Sequence, residues 1–493
     1  MDSVKTEGAE VVPGSGAPPR RLVDRLPDRV VNPLTALGFG IPVVVYVWVV
    51  AHFSVNVIVQ DQLTDVSVIS ASRHRFLPWG ALWAQHDEHR MFFPHLLDIV
   101  LADTVHFNIQ VEEFCSASML VAGSALLIWA HKRRAPRTPW LYYCPVALLS
   151  LSLVQYENTL WGFQAAWYLI LLALAVVIVL LDRPTLTNWT MVGAVAAGVV
   201  GSYSSFQGLF IWPVGLVLLY HRRRPGRQFV AWTAAGVVTT ALYFVDLDPN
   251  AGSPDHGYAV HHLWASVKFF LFAIGDIAGI SVGVRAGNTA VLLFGTVVVV
   301  LAVLMVVWYG IRRDEHGAGP VGVALIVFGM LFAASITQGR ILFGYWGASA
   351  SRYTTFDLLV VVGIYLCVLG RPTLWPARDG APDPTTPDPT PSATGAATTP
   401  AGGRVDVGLR IVRWLVAVVV VGQIVVGAHS AGPDIRATKQ SQLAAADVSG
   451  HLDQSSDNYL GYFIAPWLPH PYIRHQLQIA RDLHLSLYSG MSG

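Results

Sequence analysis

Long apolar stretches recur along the chain, separated by short polar connections: 38–59, 115–131, 139–155, 164–181, 188–203, 206–220, 229–245, 289–311, 319–337, 354–370 and 409–428. Runs of this length and composition read as helical crossings of a bilayer whose hydrocarbon core is ~30 Å thick. The pattern predicts an all-α integral membrane protein, a polytopic bundle of about eleven transmembrane helices. One further run, 265–284, is nearly as long but is broken by Lys268, Gly275, Asp276 and Gly279. It reads as a re-entrant or interfacial helix on the outer face, since irregular backbone is tolerated where it lines a cavity. A tilted helix with one buried aspartate is the alternative.

Arginines orient the bundle, because Lys and Arg are retained on the cytoplasmic side. The clusters Lys132–Arg137, Arg222–Arg227, Arg312–Arg313 and Arg371–Arg378 all fall inside when the N-terminus is inside. Residues 1–37 then form a polar cytoplasmic tail, with Arg20, Arg21, Arg25 and Arg29 ahead of the first span and no small-residue cleavage site. A core over 38–370 contains a long outer loop, 60–114. Residues 371–407, rich in Pro, Thr and Ala, form a cytoplasmic tether too poor in apolar surface to fold. The last span covers 408–428, and 429–493 lies outside. There Ile473, Leu477, Ala480, Leu483 and Leu487 recur at helical spacing, as in an amphipathic helix lying on the outer surface or on the protein's own outer loops.

Composition sharpens this. Charged residues make up 13% of the chain and hydrophobic ones 53%, well below the ~25% charge of a soluble domain. The net charge of +1 supplies no basic stripe for nucleic acid. With 32 basic residues, of which only Lys5, Lys132, Lys268 and Lys439 are lysine, the arginine bias fits GC-rich coding and hence a bacterial plasma membrane. Cys115, Cys144 and Cys367 all sit in or at apolar runs, against a disulfide framework or a zinc site.

Against so little charge, His86, Asp87, Glu88, His89 and Arg90 stand consecutively in the first outer loop. Helical spacing would put His86, His89 and Arg90 on one side of a turn, ahead of an interfacial helix beginning at FFPHLLDIVL. The same loop opens with Gln60, Asp61 and Gln62. A second outer loop, TQGRILFGYWGASASRY at 337–353, places Arg340 and Arg352 outside against the arginine trend and ends at Tyr353. Arginine suits a phosphate, because its planar fork binds oxyanions bidentately and stays charged. QYENTLWGFQAAW adds Glu157, Asn158, Trp161 and Gln164, SYSSFQG adds Gln207, and 246–264 carries Asp246, Asp248, Asp255, His256, His261 and His262. Carboxylates, amides and indoles on one face suit a sugar. His86, Asp87 and His89 lack the His-Glu-x-x-His spacing of a zinc site, and a divalent metal there is the weaker reading.

A long first outer loop opening on an acid, together with spans in this number and outer arginines late in the chain, resembles the GT-C superfamily of polyprenyl-phosphate-sugar-dependent glycosyltransferases. The resemblance covers about 38–370 and is one of architecture more than of motif. It implies a polyprenyl-phosphate sugar donor and a glycan, lipid or protein acceptor on the outer face. The acid after the first span, here Asp61, would be the catalytic carboxylate. Many members carry two adjacent acids there, whereas this chain has Gln62 beside Asp61 and Asp65 a turn on, so Glu88 or Asp87 is held as sharing the role. A carboxylate takes the acceptor's proton, and Arg352, helped by Arg340, holds the departing phosphate, with inversion at the sugar carbon. His86, His89, Arg90, Glu157, Asn158, Trp161, Gln164 and Tyr353 would contact substrate. The rival functions are a transporter or flippase for a lipid-linked or small polar substrate, and a non-catalytic envelope-assembly protein. A carrier would show paired broken helices in two related halves, which the chain lacks.

Overall fold

The computed structural model describes residues 27–75, 77–248, 251, 257–279, 285–311, 317–369 and 402–490. The tail up to Leu26, residues 370–401 of the tether, and Asp255, His256, Arg312 and Arg313 lie outside the described residues. Helices dominate: α1 (Asp28–Phe53), then in the 60–114 loop α2 (Gln62–His74), α3 (Trp79–Leu82) and α4 (Phe92–Val105), then α5 (Ile109–Arg134) and α6 (Cys144–Ser150). They continue as α7 (Tyr156–Thr159), α8 (Ala165–Leu181), α9 (Asn188–Ser202), α10 (Ile211–His221), α11 (Gly226–Tyr243), α12 (Tyr258–His261) and α13 (Leu263–Asp276). The last are α14 (Arg285–Ile311), α15 (Gly319–Arg340), α16 (Gly344–Ala348), α17 (Thr354–Leu369), α18 (Gly402–Gly450), α19 (Asp457–Ile464) and α20 (His470–Asp482). Among the described residues seven helices are long and apolar enough to cross a membrane, and the chain is an all-α multi-pass membrane protein.

The other apolar runs fold in shorter pieces. The run 188–203 becomes α9, 206–220 becomes a 3₁₀ turn continued by α10, and 229–245 becomes α11. The run 139–155 is a broken traverse: a 3₁₀ turn over Trp140–Tyr143, α6, and a second 3₁₀ turn over Leu153–Gln155. Side chains meet the backbone and hydroxyl groups that the break frees: Gln155 donates to the Ser150 carbonyl at 2.8 Å and Gln423 to the Ser152 hydroxyl at 3.0 Å. α13 stops after 14 residues, about 21 Å at 1.5 Å per residue, which is too short to cross; it packs along α14 and α15.

α5 runs from Ile109, in the cluster it shares with α2, to Arg134, which pairs with Asp182, so these two groups mark opposite ends of that helix. At one end Asp182, fully buried, receives Arg133 at 3.2 Å, Arg134 at 3.0 Å and Arg222 at 2.6 Å. A buried carboxylate needs such partners, and they tie α5 and α10 to the end of α8. At the other end α2, α4, α19 and α20 form a cap with its own core. Leu63, Val66 and Ile69 of α2 belong to one cluster with Ile473, Leu477 and Ala480 of α20. The helical stripe expected in the C-terminal segment therefore faces the 60–114 loop, one of the two placements its spacing allowed. α18, at 49 residues, is about 73 Å long, more than twice a bilayer core. It continues well past 428 and carries the chain into this cap.

The main correction concerns His86–Arg90. These residues form no helical turn; they make a two-stranded hairpin, β1 (Gln85–His86) and β2 (His89–Arg90), with His86 opposite His89 and Gln85 opposite Arg90. Asp87 turns the chain with φ +47°, a left-handed conformation in which Asp is among the commoner non-glycine residues. The FFPHLLDIVL run is helical as expected, in α4.

Candidate functional site

A cleft of about 570 Å³ opens at the capped end, where the hairpin, the Trp161–Trp167 stretch, the α15–α17 connection and the C-terminal segment meet. Of the residues singled out by sequence, Asp61, His86, Asp87, Glu88, His89, Trp161, Gln164, Arg340, Arg352 and Tyr353 line it together. They come from widely separated parts of the chain.

Asp61 immediately precedes α2, where an aspartate ordinarily accepts a hydrogen bond from the first helical N–H groups. Here the side chain makes no capping bond and lines the cleft. Helix capping therefore does not account for it. Burial raises its carboxyl above the ordinary aspartate range; His86 and Arg352 oppose that shift and Asp87 adds to it.

Arg340 ends α15, and Arg352 enters from the stretch linking α15 to α17. Glu157 holds Arg352 twice, accepting from its backbone N–H at 3.1 Å and from its guanidinium at 3.2 Å. Asn158 donates to the Arg352 carbonyl and to the Thr355 hydroxyl, each at 2.7 Å. Glu157 and Asn158 are thus placed behind the arginine and are not among the residues lining the cleft. Arg340 pairs with Glu88 at 2.9 Å, and His89 stands 3.8 Å from the same carboxylate oxygen. Burial pushes Glu88 upward, but His89 and Arg340 outweigh it and hold the carboxyl below its usual range. Burial lowers His89, with Glu88 opposing. Glu88 is thereby kept ionised as the counter-charge of Arg340.

Arg90 is placed differently from expectation. It is 3% exposed and donates to the carbonyls of Trp83, Tyr243 and Val245, while its backbone N–H donates to the Tyr243 hydroxyl. It lashes the hairpin to the end of α11 and does not line the cleft.

Among the described residues, three buried side-chain atoms of cleft-lining residues lack a hydrogen-bond partner within the protein: Glu88 Oε2, the Trp161 indole N–H and the Gln164 side-chain oxygen. A donor and an acceptor on one cleft wall can read a hydroxyl-bearing ring. Ser205 and Gln207, joined at 2.7 Å, also line the wall. Phe343 and Trp346, 59% and 75% exposed, stand at the rim. Gly344 between them has φ +61°, the left-handed turn that glycine adopts without a Cβ penalty.

Behind Asp61 lies a buried polar layer. Gln62 donates to Glu112 at 3.0 Å, and His95 Nε2 stands 3.5 Å from Asp65. Burial raises the Asp65 and Asp98 carboxyls well above their ordinary range and lowers the His95 ring to about 4. Gly162 passes over this layer so closely that a Cβ would stand 2.0 Å from the Glu112 carboxylate. Among the described residues no group of three or more His, Cys, Asp or Glu side chains is arranged to hold a metal ion. His86, Asp87 and His89 do not fit one.

Sequence reasoning missed Trp467, which reaches the cleft from beyond α19. It also missed the aromatic wall of Phe163 and Trp167. No local signal marks Trp467, because its partners lie at the other end of the chain.

Among solved structures, the chain is similar to the crystal structure of ArnT from Cupriavidus metallidurans bound to undecaprenyl phosphate. The sequences are 13% identical, the match covers 91% of this chain and 88% of that one, and the TM-score is 0.44. No protein family and no curated protein matches the sequence. At that TM-score the reading of this chain rests on its own residues.

Proposed function

We propose that the protein is a membrane glycosyltransferase that moves a sugar from a polyprenyl-phosphate donor to an acceptor hydroxyl at the capped face. The observation that carries this reading is Asp61: a carboxylate released from helix capping, facing Arg352 across a cleft at the end of a membrane bundle. An anionic lipid headgroup suits the two arginines, a sugar suits Trp161 and Gln164, and an apolar tail suits the exposed Phe343 and Trp346 at the rim.

The chemistry follows from charge. The phosphate of a lipid-linked sugar is already a good leaving group, so the site needs no acid to protonate it. As the bond from the sugar carbon to the phosphate oxygen breaks, negative charge grows on the phosphate, where Arg352 and Arg340 stabilise it. The acceptor oxygen forms the new bond at the opposite face of that carbon while Asp61 takes its proton. One displacement inverts the carbon, and no glycosyl-enzyme forms. Glu88, already neutralised by Arg340, serves to orient that arginine. The arginine-rich end around Asp182 faces the cytoplasm of a bacterial cell and the cleft faces outward, by the retention of basic residues inside.

The test is transfer of radiolabelled sugar from a panel of polyprenyl-phosphate sugars in membranes holding wild type, Asp61→Asn or Arg352→Ala at matched levels. Wild type should consume one donor and both variants should lose at least about a hundredfold in rate. An Asp61→Asn variant as active as wild type would remove the carboxylate from the mechanism.

A further inference from the structure

The 139–155 traverse breaks inside the bundle, and several buried groups near the break have nothing to bond. Asp357 belongs to the Ser351–Leu369 span and is fully buried. Among the described residues neither of its carboxylate oxygens has a hydrogen-bond partner. Gln423 of α18 is equally buried with its side-chain oxygen unpartnered, and so is the Ser150 hydroxyl at the end of α6. An unpaired carboxylate within a membrane bundle is costly, and such groups mark ion or proton sites.

Packing brings these groups to one junction. One side of α17, carrying Phe356, Val360 and Gly363, meets Gly322 and Gly329 of α15. Another side carries Thr355, which donates to the Gln155 side-chain oxygen at 2.6 Å, while the amide nitrogen of Gln155 donates to the Ser150 carbonyl at 2.8 Å. Turning about 100° per residue along the helix, Asp357 lies on neither side. It falls on the flank where α17 packs against α13, α14 and α18. Gln423 enters there from α18, its nitrogen donating to the Ser152 hydroxyl at 3.0 Å and to the Ile277 carbonyl at 3.4 Å. It thereby joins the broken traverse to the end of α13 at the buried Asp276. The C-terminal end of a helix carries partial negative charge and favours a cation.

We propose that this junction is a site for one sodium-sized alkali-metal cation, with Asp357, the Gln423 oxygen and the Ser150 hydroxyl as ligands. The unpartnered atoms are three acceptors that cannot donate and one hydroxyl. One cation satisfies them together, whereas one proton on Asp357 would join it to a single neighbour. The ligands are hard oxygens with one charged side chain among the unpartnered set, which suits a singly charged hard ion. Broken helices and helix C-terminal ends bind sodium in membrane carriers on the same principle. The set is distinct from clusters of three or more His, Cys, Asp or Glu side chains, which the described residues lack. Bound there, the ion would neutralise Asp357 and tie α6, α17 and α18 together at the break. The inference does not depend on any reaction at the cleft.

The experiment melts the full-length protein, purified in detergent with a divalent chelator present, in sodium chloride or choline chloride at equal ionic strength. The proteins are wild type, Asp357→Asn, Gln423→Ala and, as control, Asp447→Asn, whose side chain is 76% exposed farther along α18. Wild type should melt about 3 °C or more higher in saturating sodium than in choline, with a midpoint that climbs with sodium concentration. It should also bind radioactive sodium saturably. Asp357→Asn, which keeps the shape and loses the charge, should lose the sodium dependence. Gln423→Ala should raise the half-saturating sodium concentration about tenfold, a shift that a merely structural glutamine would not cause. Asp447→Asn should match wild type. Wild type that melts alike in the two salts and binds no sodium overturns the proposal without recourse to any variant. A sodium effect retained in full by Asp357→Asn overturns it as well, because the ion would then sit elsewhere. Melting that follows pH but not the cation assigns Asp357 a proton and overturns the metal site.

Discussion

In the proposed reaction Asp61 and Arg352 divide the work of the cleft by charge. A base acts only when ionised, and burial raises the Asp61 carboxyl above its ordinary range. The rate should therefore rise with pH through that raised value and fall, on acidification, sooner than for a solvent-exposed aspartate. A pH profile of kcat/KM checks this, and an acid limb at ordinary aspartate values would contradict it. Arg352 holds its place through Glu157, which grips both its backbone and its guanidinium. Glu157→Gln should raise donor KM about tenfold with a smaller effect on kcat, while Arg352→Lys, which keeps charge and loses the fork, should be worse. Asp61, Arg340 and Arg352 stood out in sequence because a chain this poor in charge places few arginines and acids beside its apolar runs, and the structure brings all three to one cleft. Which of them touch the cleft was not legible. Arg90, Glu157 and Asn158 share the composition of the lining residues and differ only in which way the fold turns them.

The hairpin shows the same limit at the level of elements. His86, His89 and Arg90 suit one side of a helical turn as well as paired strands, and nothing in so short a stretch distinguishes the two periods. Its conformation is settled by distant groups, the Tyr243 hydroxyl and the carbonyls of Trp83, Tyr243 and Val245. Arg90→Ala would strand several of them, and thermal melting should show a loss of about 2–4 kcal/mol with transfer reduced as well, since His86, Asp87 and Glu88 ride on the hairpin. The Trp161–Trp167 stretch depends likewise on Gly162, where even a methyl meets the Glu112 carboxylate. Gly162→Ala should cost about 1–3 kcal/mol in the same assay. Wild-type stability in that variant would mean the buried layer has room the structure does not show.

Across the whole molecule, hydropathy marked the apolar runs that became α1, α5, α8, α14, α15, α17 and α18, because burial in lipid constrains composition strongly. It did not reveal that 139–155 breaks, since Gln155 within the run and Gln423 of α18 meet the freed groups. Nor did it reveal that α18 runs on into the cap, where the apolar pattern yields to an amphipathic one. The closure of the cleft by the C-terminal segment is a contact between the two ends of the chain and leaves no local trace.

The most direct test of the account separates holding from reacting. Binding of a polyprenyl phosphate to purified wild type, Asp61→Asn and Arg352→Ala can be titrated in detergent. If the arginine holds the phosphate and the carboxylate serves only chemistry, Arg352→Ala should weaken binding at least about tenfold, while Asp61→Asn binds as tightly as wild type or more so. Equal affinity in all three proteins would contradict the account, because the lipid phosphate would then sit somewhere other than between Arg352 and Asp61.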